Sequence, residues 1–122
     1  MELTSYVELA MASQAADRQH PAFNKLFIET ESVPSLNSLL AHRRIRDKDD
    51  PQIFVGHRMT VIGGVGSSVQ YETDRGRFIG RGRSVRDPAA LQGELSNNTG
   101  HVLDPILSLR HEISLKPGER VE

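Results

Sequence analysis

Apolar and polar residues alternate in short runs along this chain, and the runs are separated by turn-forming residues. From Glu2 to Met11, Leu3, Val7, Leu9 and Met11 fall on one side with Ser5 among them, and Thr4, Tyr6, Glu8 and Ala10 fall on the other, which predicts a strand. Residues 12–24 break the alternation; His20-Pro21 disfavours helix at His20, so this stretch reads as a connection with one short helical turn. Lys25–Val33 resumes as a strand. Leu36–Arg46 fits either period, and its neighbours tip it toward strand. Gln52–Ile62 is the clearest strand, with Ile53, Val55, His57, Met59 and Val61 on one face. The glycines and serines of 63–68 predict a flexible reversal, so that Val69–Thr73 runs back and 52–73 forms a hairpin. Pro88–Leu91 suits a single helical turn, 93–100 reads as a loop, and Ile106–Leu115 is a second clean strand with Leu107, Leu109, His111, Ile113 and Leu115 on one face.

Many short strands without long crossover helices predict an all-β fold, an antiparallel β-sandwich with few helical turns. The 122 residues fit a single domain, 1–122, large enough to bury roughly two thirds of its unfolded surface. A strand that starts almost at Met1 and an unfinished Arg120-Val121-Glu122 predict an excised fragment of a larger enzyme. Composition narrows the function classes. With no cysteine there is no disulfide framework or thiolate metal site, and a formal net charge of −1 supplies no general attraction for nucleic acid or an anionic membrane. Aromatic residues make up 5% of the chain and tryptophan is absent, so a stacking platform has little to draw on. No apolar run reaches the length of a membrane span and the N-terminus lacks a signal-peptide pattern, which makes a cytoplasmic location the default expectation.

The most uneven stretch is YETDRGRFIGRGRSVRDP, residues 71–88, an arginine-rich loop holding Arg75, Arg77, Arg81, Arg83 and Arg86 between three glycines. Guanidinium groups suit bidentate contacts with carboxylates, phosphates and vicinal hydroxyls, so Arg75, Arg77, Arg81 and Arg83 are the candidate substrate-binding or domain-docking residues. The structural alternative is a solvated loop paired to Asp74 and Asp87. On a strand, Arg81 and Arg83 project to one face, leaving Gly80 and Gly82 bare for the approach of another backbone. A second cluster, His42, Arg43, Arg44 and Arg46, precedes Asp47, Asp49 and Asp50 and reads as self-compensating. His57 and His111, on apolar strand faces, read as satisfied core histidines rather than metal ligands. GGVGSS at 63–68 lacks the ending of a phosphate loop. Glu29, Glu31, Glu72 and Asp74 are candidates for carboxylate chemistry by residue type alone, and the sequence offers no nucleophile or catalytic set.

LTSYVEL at 3–9, ADRQHPAFNKLFIETE at 16–31, the arginine stretch at 71–88 and GHVLDPILSLR at 100–110 occur in order. Together they resemble the N-terminal β-sandwich region of glycoside hydrolase family 94, the cellobiose and related disaccharide phosphorylases, and within it the phosphorylase-like portion of cyclic β-1,2-glucan synthases. The resemblance implies part of a large, galactose-mutarotase-like super-sandwich that supports an (α/α)6 barrel carrying the catalytic acid. It implies inverting phosphorolysis of β-glucosides by the parent, with inorganic phosphate as co-substrate and no metal or organic cofactor. It also implies the parent's barrel and β-glucan as partners, a possible homodimer, no nucleic acid or direct membrane contact, a place on the cytoplasmic side of an inner-membrane parent, and no catalysis by this portion alone. The competing readings are a stand-alone module binding an acidic partner or RNA through its arginines, and a small enzyme in its own right.

Overall fold

The computed structural model describes residues 1–63 and 65–122, with the side chains of residues 65–67 left aside. The architecture is the expected antiparallel β-sandwich, built from two sheets. In the first, β1 (Glu2–Thr4) and β2 (Val7–Glu8) lie end to end along one edge of the C-terminal strand β8 (Pro105–Ser114), and β6 (Val65–Asp74) pairs along its other edge. The second runs in the order β5-β4-β3-β7, from Phe54–Arg58 (β5) through Ser38–Arg43 (β4) and Ile28–Val33 (β3) to Gly100–His101 (β7). Two short helices, α1 (Gln14–Gln19) and α2 (Pro21–Lys25), join the sheets, and α3 (Arg75–Ile79) follows β6.

The alternation in β8 explains half of its burial. Leu107 and Leu109 point between the sheets, where they meet Leu9, Met11, Ile28, Leu39 and Ala41 in the main core. The opposite face is covered as well. Phe78, Ile79, Ala90 and Leu95 close over Ile106 in a second core, with the Tyr6 ring packed on Phe78 at 4.8 Å. Arg110 lies on this second face, 4% exposed, and its guanidinium donates to Thr4 Oγ1 (2.9 Å), Gly93 O (2.7 Å) and Ala90 O. A buried guanidinium must be satisfied or it is costly. Arg110 meets that requirement by tying β1 and the 3-10 turn Ala89–Gln92 to the sheet.

Several expectations change in the folded chain. Residues 2–11 do not form one strand. At Ser5 the ladder is interrupted, because Leu109 N–H donates to Ser5 Oγ (2.9 Å) while Ser5 O accepts from Ser108 Oγ (2.8 Å). The 12–24 connection holds two helices rather than one turn, divided at the non-helical pre-proline residue His20 (φ −144°, ψ 63°). The third strand begins at Ile28 because Lys25 belongs to α2, and the strand expected over 52–62 is confined to Phe54–Arg58. The hairpin over 52–73 does not form: β5 pairs with β4 and β6 with β8, so the two arms lie in different sheets. Of the reversal expected there, Gly64 lies outside the described residues and Val65 already belongs to β6. Leu115 is exposed rather than in the core.

His57 and His111 are both drawn inward. His57 Nε2 meets Ser5 Oγ at 2.7 Å, whereas His111, 5% exposed, has no hydrogen-bond partner for Nε2 among the described residues. Burial holds the His57 imidazole below its ordinary value of 6.5. The unfolded chain therefore binds a proton that the folded chain resists, and stability falls as pH drops below 6.5 toward the folded value. His57→Gln should flatten this part of the stability profile between pH 7 and 5, measured by urea unfolding. Phe78→Ala should cost about 3–5 kcal/mol in the same assay, as for other buried aromatic truncations.

Candidate functional site

The arginine-rich stretch is not a loop from end to end. β6 extends through Asp74, whose side chain caps α3 by accepting from Gly76 N (2.8 Å) and Arg77 N (3.3 Å). Inside α3 the sequence Arg-Gly-Arg-Phe-Ile turns Phe78 and Ile79 into the second core. Gly80 then leaves the helix at φ +83°, and a Cβ there would lie 2.6 Å from Ala89 Cβ. The close approach expected of these glycines is thus made by the chain's own 3-10 turn. Gly82 (φ +73°) reverses the backbone in open space, so Arg81 and Arg83 stand on a turn and not side by side on a strand.

The four candidate arginines are dispersed by this geometry. Arg77 is mostly exposed and lies 3.9 Å from Asp74. Arg83 donates to Gln92 Oε1 (2.7 Å) and stands 3.5 Å from Asp87, so one part of the compensating charge comes from the stretch's own ends. Arg81 and Arg86 are exposed, and neither side chain has a hydrogen bond or ion pair among the described residues.

Arg75, the first residue of α3, enters a different constellation. Its Nε donates to Glu8 Oε1 (3.0 Å) and to Tyr6 Oη (3.2 Å), and Tyr6 Oη donates to the same Glu8 oxygen at 2.6 Å. Arg75 also lies 3.7 Å from Asp104, which in turn pairs with Lys25. Tyr6 and Glu8 come from the first sheet's edge, Lys25 from α2, Arg75 from α3, and Asp104 from the approach to β8. Each of the four family-like motifs therefore contributes to this one network, although sequence reasoning singled out only Arg75. The signal was there in the motifs: Tyr6 and Glu8 are two apart and share a strand face. The Tyr6 and Arg75 hydrogen bonds hold Glu8 below its ordinary 4.5, while burial and the Glu8 contact push the Tyr6 phenol up. Hydrogen bonds to Glu8 and Tyr6 also raise Arg75, keeping it cationic.

The second basic cluster is satisfied differently from the expectation. Arg44 and His42 turn to Glu29 (3.1 and 3.4 Å), Arg43 donates to Met11 O (2.9 Å), and Arg46 lies over the Phe27 ring at 4.9 Å. Asp50 accepts backbone N–H groups of its own turn instead. Of the carboxylates considered by type, Glu72 is buried and accepts from Thr73 N, Asp74 N and Ser96, and Glu29 joins His42, Arg44 and His101. No group of three or more His, Asp or Glu side chains among the described residues is placed to hold a metal ion.

The family model for the glycosyl hydrolase 94 supersandwich domain matches residues 1–122. The chain belongs to that family. A relative, the cyclic beta-(1,2)-glucan synthase NdvB of Rhizobium meliloti (strain 1021), is 39% identical over 123 aligned positions, covering 99% of this chain. The chain spans 4% of that relative's length. The two antiparallel sheets are thus supersandwich structure, and the motif network is internal to it. None of the described helices is long and apolar enough to cross a membrane.

Arg75→Met, which keeps an unbranched apolar stem, should raise the Glu8 titration toward its ordinary value of 4.5. Because Glu8 is depressed in the fold, the stability it contributes is present above that value and lost as pH falls through the folded one. An NMR titration of the Glu8 carboxyl in both forms reads the shift directly.

Proposed function

We propose that this chain is an accessory β-sandwich domain of a larger β-glucan-active enzyme, a cyclic β-1,2-glucan synthase or a related β-glucoside phosphorylase, and that it acts by supporting a catalytic barrel. The observation that carries the reading is 39% identity along 99% of the chain to a glucan synthase, within a family match that covers every residue. On this reading the catalytic acid and the phosphate site lie elsewhere in the parent, inorganic phosphate is the parent's co-substrate, and no further cofactor is needed. The parent sits at the inner membrane with this domain on its cytoplasmic side, and the domain itself touches neither membrane nor nucleic acid.

The arginine turn is the docking surface in this scheme. Its fold is secured from within by Phe78, Ile79 and the Gly80–Ala89 approach, which leaves Arg81 with no internal duty among the described residues. A cation held on a fixed turn suits carboxylates of the barrel or hydroxyls of a bound glucan. Arg77 and Arg83 flank it with partners that cost little to exchange, since exposed ion pairs contribute about 0–1 kcal/mol. Arg75, engaged with Glu8 and Asp104, holds the base of the turn rather than its contact face.

The chain alone should release no glucose 1-phosphate from β-1,2-gluco-oligosaccharides and phosphate; turnover that co-purifies with it would overturn the accessory reading. Arg81→Ala combined with Arg83→Ala should change the stability of the isolated chain by no more than about 1 kcal/mol. The same double change should lower the parent's activity on β-glucan. Full activity in the parent, or a large loss of stability in the chain, would assign these arginines to the sandwich itself.

A further inference from the structure

The second sheet has an open edge. β5 pairs with β4 on one side, and Phe54, Gly56 and Arg58 are exposed, Phe54 at 60%. A Cβ placed on Gly56 would meet no atom within 4 Å. The main-chain alternation of this edge can be read from the β4–β5 ladder. Arg43 N–H donates to Ile53 O (3.1 Å), and the register continues with His42 opposite Phe54 and Ala41 opposite Val55. In an antiparallel pair, bonded and non-bonded positions alternate. Ile53, Val55 and His57 therefore direct their N–H and C=O groups at β4, and Phe54, Gly56 and Arg58 direct theirs outward.

Four residues beyond β5, the backbone of Ile62 is already paired. Ile62 N–H donates to Glu122 O (2.6 Å), and Glu122 N–H donates back to Ile62 O (3.0 Å). A reciprocal pair of this kind occurs only between antiparallel neighbours. Ile62 also has the parity of Arg58, Gly56 and Phe54, so in extended chain its polar groups face the same way. The direction and the phase of an added strand are both set by this pair. Polypeptide leaving Glu122 in the same direction meets Thr60, Arg58, Gly56 and Phe54 in turn at every second residue, over about 27 Å at ~3.4 Å per residue.

We propose that the open edge of β5 is the docking site for the segment that follows Glu122 in the longer protein, which adds an antiparallel fifth strand to the β5-β4-β3-β7 sheet. This inference rests on the parent-enzyme reading above, since it requires that polypeptide. The added strand satisfies the outward groups of Phe54, Gly56 and Arg58 and places a cross-strand side chain beside the Phe54 ring. Edge strands left open in this way invite foreign pairing, and here the occupant is specified by the chain's own last hydrogen-bonded pair.

The test is hydrogen exchange resolved to single residues across 53–59, in the longer protein and in the 122-residue chain. In the longer protein, the amides of Phe54, Gly56 and Arg58 should exchange as slowly as those of Val55 and His57. In the chain alone they should exchange at least about 100-fold faster than those two, as expected of unpaired edge amides. Fast exchange at the three positions in the longer protein overturns the inference and leaves the parent-enzyme reading standing. Protection in the chain alone that persists on dilution assigns the cover to the chain's own residues and overturns it equally. A coding sequence that stops after Glu122 removes the parent-enzyme reading together with this inference.

Discussion

β8 is covered on both faces, and the rest of the fold depends on that double burial. An antiparallel sandwich strand ordinarily hides one face and wets the other. Here Leu107 and Leu109 belong to the inter-sheet core while Ile106 belongs to a second core beneath α3. Burial of the outer face would be costly at Ser108 and Arg110 without partners. Ser108 donates to Ser5 O, and Arg110 donates to Thr4 and to the carbonyls of Ala90 and Gly93. These bonds attach the N-terminal strands and the segment after the arginine turn to one strand near the end of the chain. Contacts at this sequence separation carry a large loop-closure cost and favour slow folding.

The arginine turn inherits its shape from this arrangement. Phe78 and Ile79 fill the outer core, Asp74 caps the helix that presents them, and Gly80 permits contact with Ala89. The backbone of the turn is thus fixed by apolar packing and not by its charges. That division separates roles within a single motif: the apolar pair and the glycine build, Arg75 fastens the base through Glu8 and Asp104, and Arg81 projects freely among the described residues. A rigid mount for an unpaired cation reduces the ordering cost of a later contact.

The sequence made the sandwich legible wherever one face is apolar and the other polar. β4, β5 and the inner face of β8 follow the period of two, and the pre-proline break at His20 and the helical turn after Pro88 fall where local chemistry puts them. Pairing was less legible. β5 and β6 look like hairpin arms because a glycine-rich segment joins them, yet each finds its partner elsewhere, and alternation carries no information about which strand lies alongside. α3 was hidden because five residues are too few for a helical period to show; the Asp74 cap and Gly80 were its only marks. The network of Tyr6, Glu8, Lys25, Arg75 and Asp104 was visible as separate motif residues and became a site only when the fold brought the motifs together. Glu72 stood out in sequence by residue type alone and nothing there marked Arg110; their burial follows from the cover that α3 and the 93–98 segment lay over the sheet.

On the proposed reading, the apolar part of the arginine turn serves the sandwich while Arg81 serves the rest of the parent. Arginine-selective dicarbonyl labelling, followed by mass spectrometry, measures this directly when the chain alone is compared with the longer protein. Arg81 should react readily in the chain and be protected in the longer protein, with Arg75 slow in both. Equal reactivity of Arg81 in the two forms would contradict the account.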